Sequence, residues 1–149
     1  MILTWGKPKL EIVALVNGAI PSNPVWTEIT TPKEDSTKLA TTKGTKKEAK
    51  LEGGAIKDKK YSKSSYALEF VISLGKNEER PIEDADGVIV DNYAIRLTPE
   101  DDTLTGYIIE KASVSVEETW SSADGSELKY TFDALQPATG NQLKPYTKA

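Results

Sequence analysis

Apolar and polar residues alternate strictly along several short segments of this chain. In residues 66–74 the apolar positions share one parity: Tyr66, Leu68, Phe70, Ile72 and Leu74. Successive side chains of a β-strand point to opposite faces, whereas a helix would scatter these five residues around its circumference. The pattern therefore predicts a strand with one apolar face.

The same alternation predicts a long β-hairpin near the C-terminus. The first strand has its apolar residues at one parity, interrupted by Glu118: Ala112, Val114, Val116 and Trp120. The second strand does the same: Leu128, Tyr130, Phe132 and Ala134. Residues 121–125, Ser-Ser-Ala-Asp-Gly, are typical of the turn between them. We expect one face of this hairpin in the core and the other in water.

Further short strands are predicted, with Gly- and Pro-rich turns between them. They cover residues 9–16, 25–29, 47–52, 88–90, 93–98 and 107–111. Thr98-Pro99-Glu100-Asp101 predicts one helical turn that ends before Gly106, and Pro81 and Gly87 leave little room for a helix at 78–86. We therefore expect a mainly β fold, an antiparallel β-sandwich or partly open barrel with at most one short helix and a long polar arm.

Residues 30–65 differ from the rest of the chain. They are rich in Thr, Lys, Ser and Gly, poor in aromatic residues, and contain basic clusters at 43–47 and 57–60. A segment this long with few apolar residues to bury is usually functional or disordered. We expect a single β domain over residues 1–149, with residues 30–65 forming an extended basic arm or loop that is mobile in the isolated chain.

Charge is distributed unevenly over the 149 residues, whose formal net charge is −4. Residues 1–29 have no net charge, residues 30–65 carry ten lysines against five acids, and residues 66–149 carry seven basic against sixteen acidic side chains. A basic segment beside an acidic body predicts an electrostatic contact between arm and body.

The composition excludes several common chemistries. The chain has no His and no Cys, which excludes Ser-His-Asp and Cys-His nucleophilic sites, the usual zinc sites and disulfides. No glycine-rich phosphate loop occurs, no apolar run is long enough to cross a membrane, and the N-terminus lacks the pattern of a signal peptide. We expect no enzymatic activity, no catalytic residue, no cofactor, no metal and no membrane partner.

The remaining candidate sites each have a plainer interpretation. The carboxylates of 78–86 and 100–102 could serve a hydrolase or bind calcium, but such runs are mostly solvated surface. The arm lysines could bind nucleic acid, but the chain has only two arginines and a pI near 5.0. Trp5, Trp26 and Trp120 could stack on sugars, although such residues more often pack in cores or hairpins.

The layout of the chain resembles the major tail tube proteins of long-tailed bacteriophages. The similarity lies in the polar segment 37–44 (Thr-Lys-Leu-Ala-Thr-Thr-Lys-Gly), the segment 51–55 (Leu-Glu-Gly-Gly-Ala), the strand that follows and the closing hairpin. The resemblance implies a β-sandwich that packs into hexameric rings, long arms that connect one ring to the next, and a channel for DNA.

We therefore expect a non-enzymatic virion structural protein that self-assembles into rings or a tube. Its partners would be itself and other tail proteins, with DNA only as non-specific cargo, in a virion tail assembled in the host cytoplasm. The lysines expected at the assembly contact are Lys43, Lys46, Lys47, Lys57, Lys59 and Lys60. The alternatives are a monomeric carbohydrate- or cell-surface-binding β-sandwich module and, third, a carboxylate-based hydrolase.

Overall fold

The computed structural model describes residues 3–76 and 78–148, in which ten β-strands and no helix occur. The strands are β1 Lys9–Ala14, β2 Thr27–Glu28, β3 Lys38–Thr42, β4 Lys46–Lys50, β5 Ile56–Tyr61, β6 Ser65–Ser73, β7 Tyr93–Thr98, β8 Gly106–Ser121, β9 Gly125–Ala134 and β10 Lys144–Tyr146. Every pairing between these strands is antiparallel. The predicted mainly β, antiparallel fold is confirmed.

Eight strands form one open sheet, and the other two form a separate hairpin. The strand order in the large sheet is β2-β1-β7-β8-β9-β6-β3, and β10 also pairs with β8. Strand β8 is 16 residues long and connects the two halves of the sheet. Its first part pairs with β7 and β10, and its second part pairs with β9.

One hydrophobic core serves both halves of this sheet. Its buried residues come from strands on both sides of β8 and from two connecting segments: Leu10, Ile12, Ile29, Leu68, Phe70, Ile72, Ile82, Ile95, Ile109, Ala112, Val114, Val116, Leu128, Tyr130 and Phe132. Because β1 and β6 lie far apart in the strand order but share this cluster, the sheet curls around it. At its centre, Phe70 stacks on Tyr130 and on Phe132, each at 5.7 Å between ring centroids.

The predicted C-terminal hairpin is confirmed, with a turn at residues 122–124. Val114, Val116, Leu128, Tyr130 and Phe132 are all buried, as their shared parity predicts. Trp120 has the same parity but is 72% exposed, because the hairpin extends beyond the end of the core.

Two segments predicted as separate strands form one strand in the structure. Residues 107–111 and the first hairpin strand together make β8, with a bulge near Tyr93 and Ile95 of β7. There the register moves from Tyr93 opposite Ala112 to Ile95 opposite Ile109, so two residues of β8, Glu110 and Lys111, lie opposite one of β7. The extra residue reverses the parity of β8, and Ile109 and Ala112 are both buried.

Two smaller predictions differ from the structure. Residues 88–90 form no strand, and Val88 makes only isolated bridges to Ala85 and Ser115. The segment after Thr98 is a turn closed by the Leu104 amide on the Asp101 carbonyl rather than a helical turn.

The polar arm begins later in the chain than predicted. Residues 38–42 form β3, which pairs with β6 over five residues, and the Lys33 amide donates to the Val71 carbonyl at 2.7 Å. The polar composition hid this edge strand, because Leu39 is its only side chain packed against the core. Residues 43–63, which we call the arm, are the part that leaves the sheet.

We expect Phe132→Ala to lower the free energy of unfolding by about 3–5 kcal/mol, because it leaves a cavity beside Phe70. Chemical denaturation measures the effect, and Lys129→Ala on an exposed position of the same strand is the control, expected to change stability by less than about 0.5 kcal/mol. An unchanged midpoint for Phe132→Ala would contradict the assigned core.

Candidate functional site

The arm is a two-stranded β-hairpin that pairs with no other strand in the described part of the chain. Strands β4 and β5 pair only with each other, from Lys46 opposite Tyr61 to Lys50 opposite Ile56. All six side chains of β5 are exposed. An isolated two-stranded hairpin is at best marginally stable in water, so the arm offers a surface without a core of its own.

The base of the arm is fixed by a close approach of its two strands. The Thr45 amide donates to the Ser62 hydroxyl at 2.6 Å, and the Ser62 amide donates to the Thr45 carbonyl at 2.9 Å. A Cβ at Gly44 would lie 1.9 Å from the Ser62 carbonyl oxygen. Only glycine fits there, so Gly44 holds the direction in which the arm leaves the sheet.

The tip of the arm is a tight turn in open space. The Leu51 amide donates to the Ala55 carbonyl at 2.7 Å, and Gly53 and Gly54 both have positive φ. A Cβ at either glycine would meet no atom within 4 Å. The two glycines of the tip therefore have open space around them in the described part of the chain.

The arm carries eight lysines and three acidic residues. All six lysines predicted for the assembly contact are exposed: Lys43, Lys46, Lys47, Lys57, Lys59 and Lys60. Five of them lie on the two strands, and Lys43 precedes the base. Glu48 forms ion pairs with Lys46 and, at 4.0 Å, with Lys50. The structure thus brings the predicted lysines together on one projecting element.

The two faces of the arm differ in chemistry. The register places one set of side chains together, which we call the tyrosine face: Lys46, Glu48, Lys50, Ile56, Lys59 and Tyr61. The opposite set, which we call the lysine-pair face, is Lys47, Ala49, Asp58 and Lys60. Lys47 and Lys60 are direct cross-strand neighbours, an arrangement of like charges that destabilises a hairpin.

An acidic cleft lies beside the distal half of β8. It has a volume of about 480 Å³ and is lined by Arg80, Glu83, Asp84, Asp86, Gly87, Val116 and Glu118. Arg80 spans it, with one guanidinium nitrogen 2.9 Å from Asp84 and another 2.7 Å from Glu118. The sequence indicated only that the carboxylates of 78–86 are solvated surface. It did not predict this cleft, because Glu118 is 38 residues away from Arg80 in the chain.

A buried tyrosine attaches the cleft segment to the core. The Tyr130 hydroxyl donates to the Ile82 carbonyl at 3.0 Å, and the Ile82 side chain is itself buried. Burial raises the pKa of Tyr130 above its ordinary value of 10.0. This contact positions the residues on both sides of Ile82, which include Arg80 and Glu83.

The arm and the cleft lie at opposite ends of the body. Strand β6 starts at Ser65, just after the arm, and ends at Ser73, which pairs with Glu127 near the hairpin turn. The cleft lies at this second end, with Val116 and Glu118 on the distal half of β8. Because β6 has nine residues, its first and last residues are roughly 26 Å apart at about 3.3 Å per residue.

Further carboxylates surround the second end of the body. Lys33 lies 2.9 Å from Glu127 and 3.9 Å from Asp124. The hydrogen bond that its ammonium donates to Glu127, followed by the charge of Asp124, raises the pKa of Lys33. Glu83 and Asp86 are exposed and form no ion pair within the described residues. The charge of the cleft is therefore only partly neutralised.

The three tryptophans lie apart and form no common sugar-binding platform. Trp5 and Trp120 are 77% and 72% exposed, but Trp5 precedes β1 whereas Trp120 lies at the hairpin tip. The Arg96 guanidinium stacks on Trp26, with its central carbon 4.3 Å from the ring centroid. Arg96 also donates two hydrogen bonds of 3.0 Å to the Glu11 carboxylate. Trp26 therefore has a structural contact on the outer face of the sheet.

Within residues 3–76 and 78–148, no three His, Cys, Asp or Glu side chains are arranged to hold a metal ion. No helix there has the length and apolar character needed to cross a membrane.

We expect the amide hydrogens of residues 46–61 to exchange faster than those of residues 65–73 in the isolated chain. The arm buries few apolar groups, whereas β6 contributes Leu68, Phe70 and Ile72 to the core. Hydrogen–deuterium exchange with mass spectrometry measures both segments at once. Equally slow exchange would contradict the description of the arm as unsupported.

We expect Tyr130→Phe to cost about 1–3 kcal/mol, because it leaves the buried Ile82 carbonyl without a donor. At high pH the unfolded chain loses this phenolic proton before the folded chain does, so the wild type loses stability as pH rises above 10.0. The Tyr130→Phe variant should lose less stability over the same range of pH. Denaturation at pH 7 and above pH 10 tests both parts, and identical pH profiles would contradict the second.

Neither the protein-family models nor the curated proteins contain a match to this chain. The assignment of a function therefore depends on the geometry of the arm and the cleft.

Proposed function

We propose that this chain is a non-enzymatic structural protein that self-assembles through its arm into rings or a tube, as the major tail tube proteins of long-tailed bacteriophages do. The observation that carries this proposal is the arm itself, a 16-residue hairpin from Lys46 to Tyr61 that projects from the body with every side chain of β5 exposed.

The energetics of the arm support a role in contact with another molecule. Two strands without a packed face gain too little from burial to offset the entropy of ordering them. The like charges of Lys47 and Lys60 add to that cost. A partner that covers one face of the arm would add the missing burial, and carboxylates of a partner would offset the positive charge of the arm.

Open strand edges give the body a second means of association. β3 and β2 are the outer strands of the large sheet, and each has one edge without a strand partner in the described residues. Such edges can pair with strands of neighbouring molecules. In an assembly of identical subunits, edge pairing would add to the contacts that the arms make.

The proposal extends to the biological setting expected from the resemblance. The assembly would belong to a virion tail formed in the host cytoplasm, with other tail proteins as partners and DNA as non-specific cargo. The six exposed arm lysines would act in protein contacts rather than in reading a nucleic-acid sequence.

A second candidate is a monomeric carbohydrate- or cell-surface-binding module. The exposure of Trp5 and Trp120 favours it, because solvent-facing tryptophans can stack on sugar rings. Their positions at different ends of the body weaken it, since a sugar would meet one tryptophan at a time.

We expect replacement of residues 44–62 by a two-residue Asn-Gly turn to abolish assembly and leave the body folded. The arm contributes no residue to the core, so the melting temperature should change by only a few degrees. Light scattering and negative-stain electron microscopy of concentrated protein measure assembly, and calorimetry measures folding.

The wild-type protein provides the decisive control for that experiment. Rings, tubes or larger species in the wild type that vanish in the variant support the proposal. A wild type that stays monomeric at high concentration and binds glycans would replace it with the binding module.

A further inference from the structure

We propose that the tyrosine face of the arm binds the acidic cleft of a second copy of this chain, with Trp120 at the edge of the cleft as the contact for Tyr61. This inference rests on the proposed self-assembly and identifies the two surfaces that meet.

Within its two strands, the arm offers its larger apolar side chains on one face, and Leu51 is a further exposed apolar residue at the tip. Ile56 and Tyr61 are 48% and 62% exposed, and the register places both on the tyrosine face. The lysine-pair face has no apolar side chain larger than Ala49. Ile56 and Tyr61 are the two end residues of β5, and Lys59 lies between them opposite Glu48. Lys46 and Lys50 form ion pairs with Glu48, the only carboxylate on this face of the described hairpin. Aromatic and apolar side chains beside charged ones are a composition that protein interfaces use.

The cleft offers the complementary chemistry. Val116, Glu118 and Trp120 are every second residue of β8, so their side chains lie on one face of the strand. Val116 and Glu118 line the cleft, and the exposed Trp120 is the next residue on that face. Trp120 lies opposite Ser126, whose small side chain leaves the indole uncovered. Glu83 and Asp86 supply carboxylates without an ion pair within the described residues, as binding of lysines requires.

The positions of the two surfaces favour a contact between two different molecules. The arm leaves the sheet where β6 begins, and the cleft lies where β6 ends. The ion pairs that the structure shows for the arm all use Glu48, a residue of the arm itself. Contact between an arm and a cleft therefore joins separate copies and leaves one copy with a free cleft and the other with a free arm. Such a contact is head-to-tail, and it produces a closed ring or an open filament.

Aromatic contacts would provide most of the affinity. Exposed lysine–carboxylate pairs are each worth only about 0–1 kcal/mol. Buried Tyr and Trp residues are the usual hot spots of interfaces, and their loss typically weakens binding by at least about 30-fold.

The test uses one variant for each surface and one matched control for each variant. Ile56→Ser with Tyr61→Ser alters the tyrosine face, and Ala49→Ser with Asp58→Asn alters the opposite face of the same hairpin. Trp120→Ser with Glu83→Gln alters the cleft, and Trp5→Ser removes an equally exposed tryptophan elsewhere. We expect the first and third variants to raise the dissociation constant of self-association at least about 30-fold, and the two controls to change it less than about threefold.

Mixing the two defective variants provides a second measurement that does not depend on the stability of the altered arm. The arm variant keeps an intact cleft, and the cleft variant keeps an intact arm. An equimolar mixture should therefore form a one-to-one heterodimer, detected by analytical ultracentrifugation, and should not grow further.

Each outcome supports or overturns the inference. Loss of association in each variant alone, with a heterodimer on mixing, supports it. Continued assembly of either variant, or no heterodimer on mixing, overturns it and leaves the proposed self-assembly in place. A wild type that does not associate at all overturns both.

Discussion

The pairing of β6 with β9 is the interaction on which the rest of the structure depends. Phe70 lies directly opposite Tyr130, Leu68 lies opposite Phe132, and the three aromatic rings stack at the centre of the core. A slip of one residue in this pair would move every one of these side chains to the outer face of the sheet. The same register sets where the hairpin turn falls, where the arm leaves the sheet, and which carbonyl the Tyr130 hydroxyl reaches.

The body and the arm satisfy their polar groups in different ways. In the body, Arg96 is held by two hydrogen bonds from its guanidinium to Glu11 and stacks against Trp26. In the arm, like-charged Lys47 and Lys60 face each other on an element with no core. This difference separates a part that is stable by itself from a part whose exposed groups are complementary to another surface. It is the structural reason for placing the function in the arm.

The sequence predicts the parts of this fold in which burial on one face imposes a period of two. That condition holds for β6, β7 and both strands of the C-terminal hairpin, and their predicted positions agree closely with the structure. It does not hold for β5, whose residues Ile-Lys-Asp-Lys-Lys-Tyr are exposed on both faces, or for β3, where Leu39 alone packs on the core. The bulge in β8 also reverses the parity within one strand, so its two halves looked like separate strands. The lysines of the arm were evident from composition, but the cleft depends on the long-range pairing of Arg80 with Glu118, which no local pattern reveals.

The alternation of faces along the arm limits how this element can change in length. Successive side chains of a strand point to opposite faces. Adding one residue to each strand between the base at Gly44 and the tip would therefore move the side chains beyond the insertion to the opposite face of the hairpin. Adding two residues to each strand would preserve the faces and extend the reach by about 7 Å. Insertions and deletions compatible with the same contact would therefore come in even numbers per strand. The distance between successive copies would accordingly vary in discrete steps, so subunits with arms of different length could not substitute for one another in a single assembly.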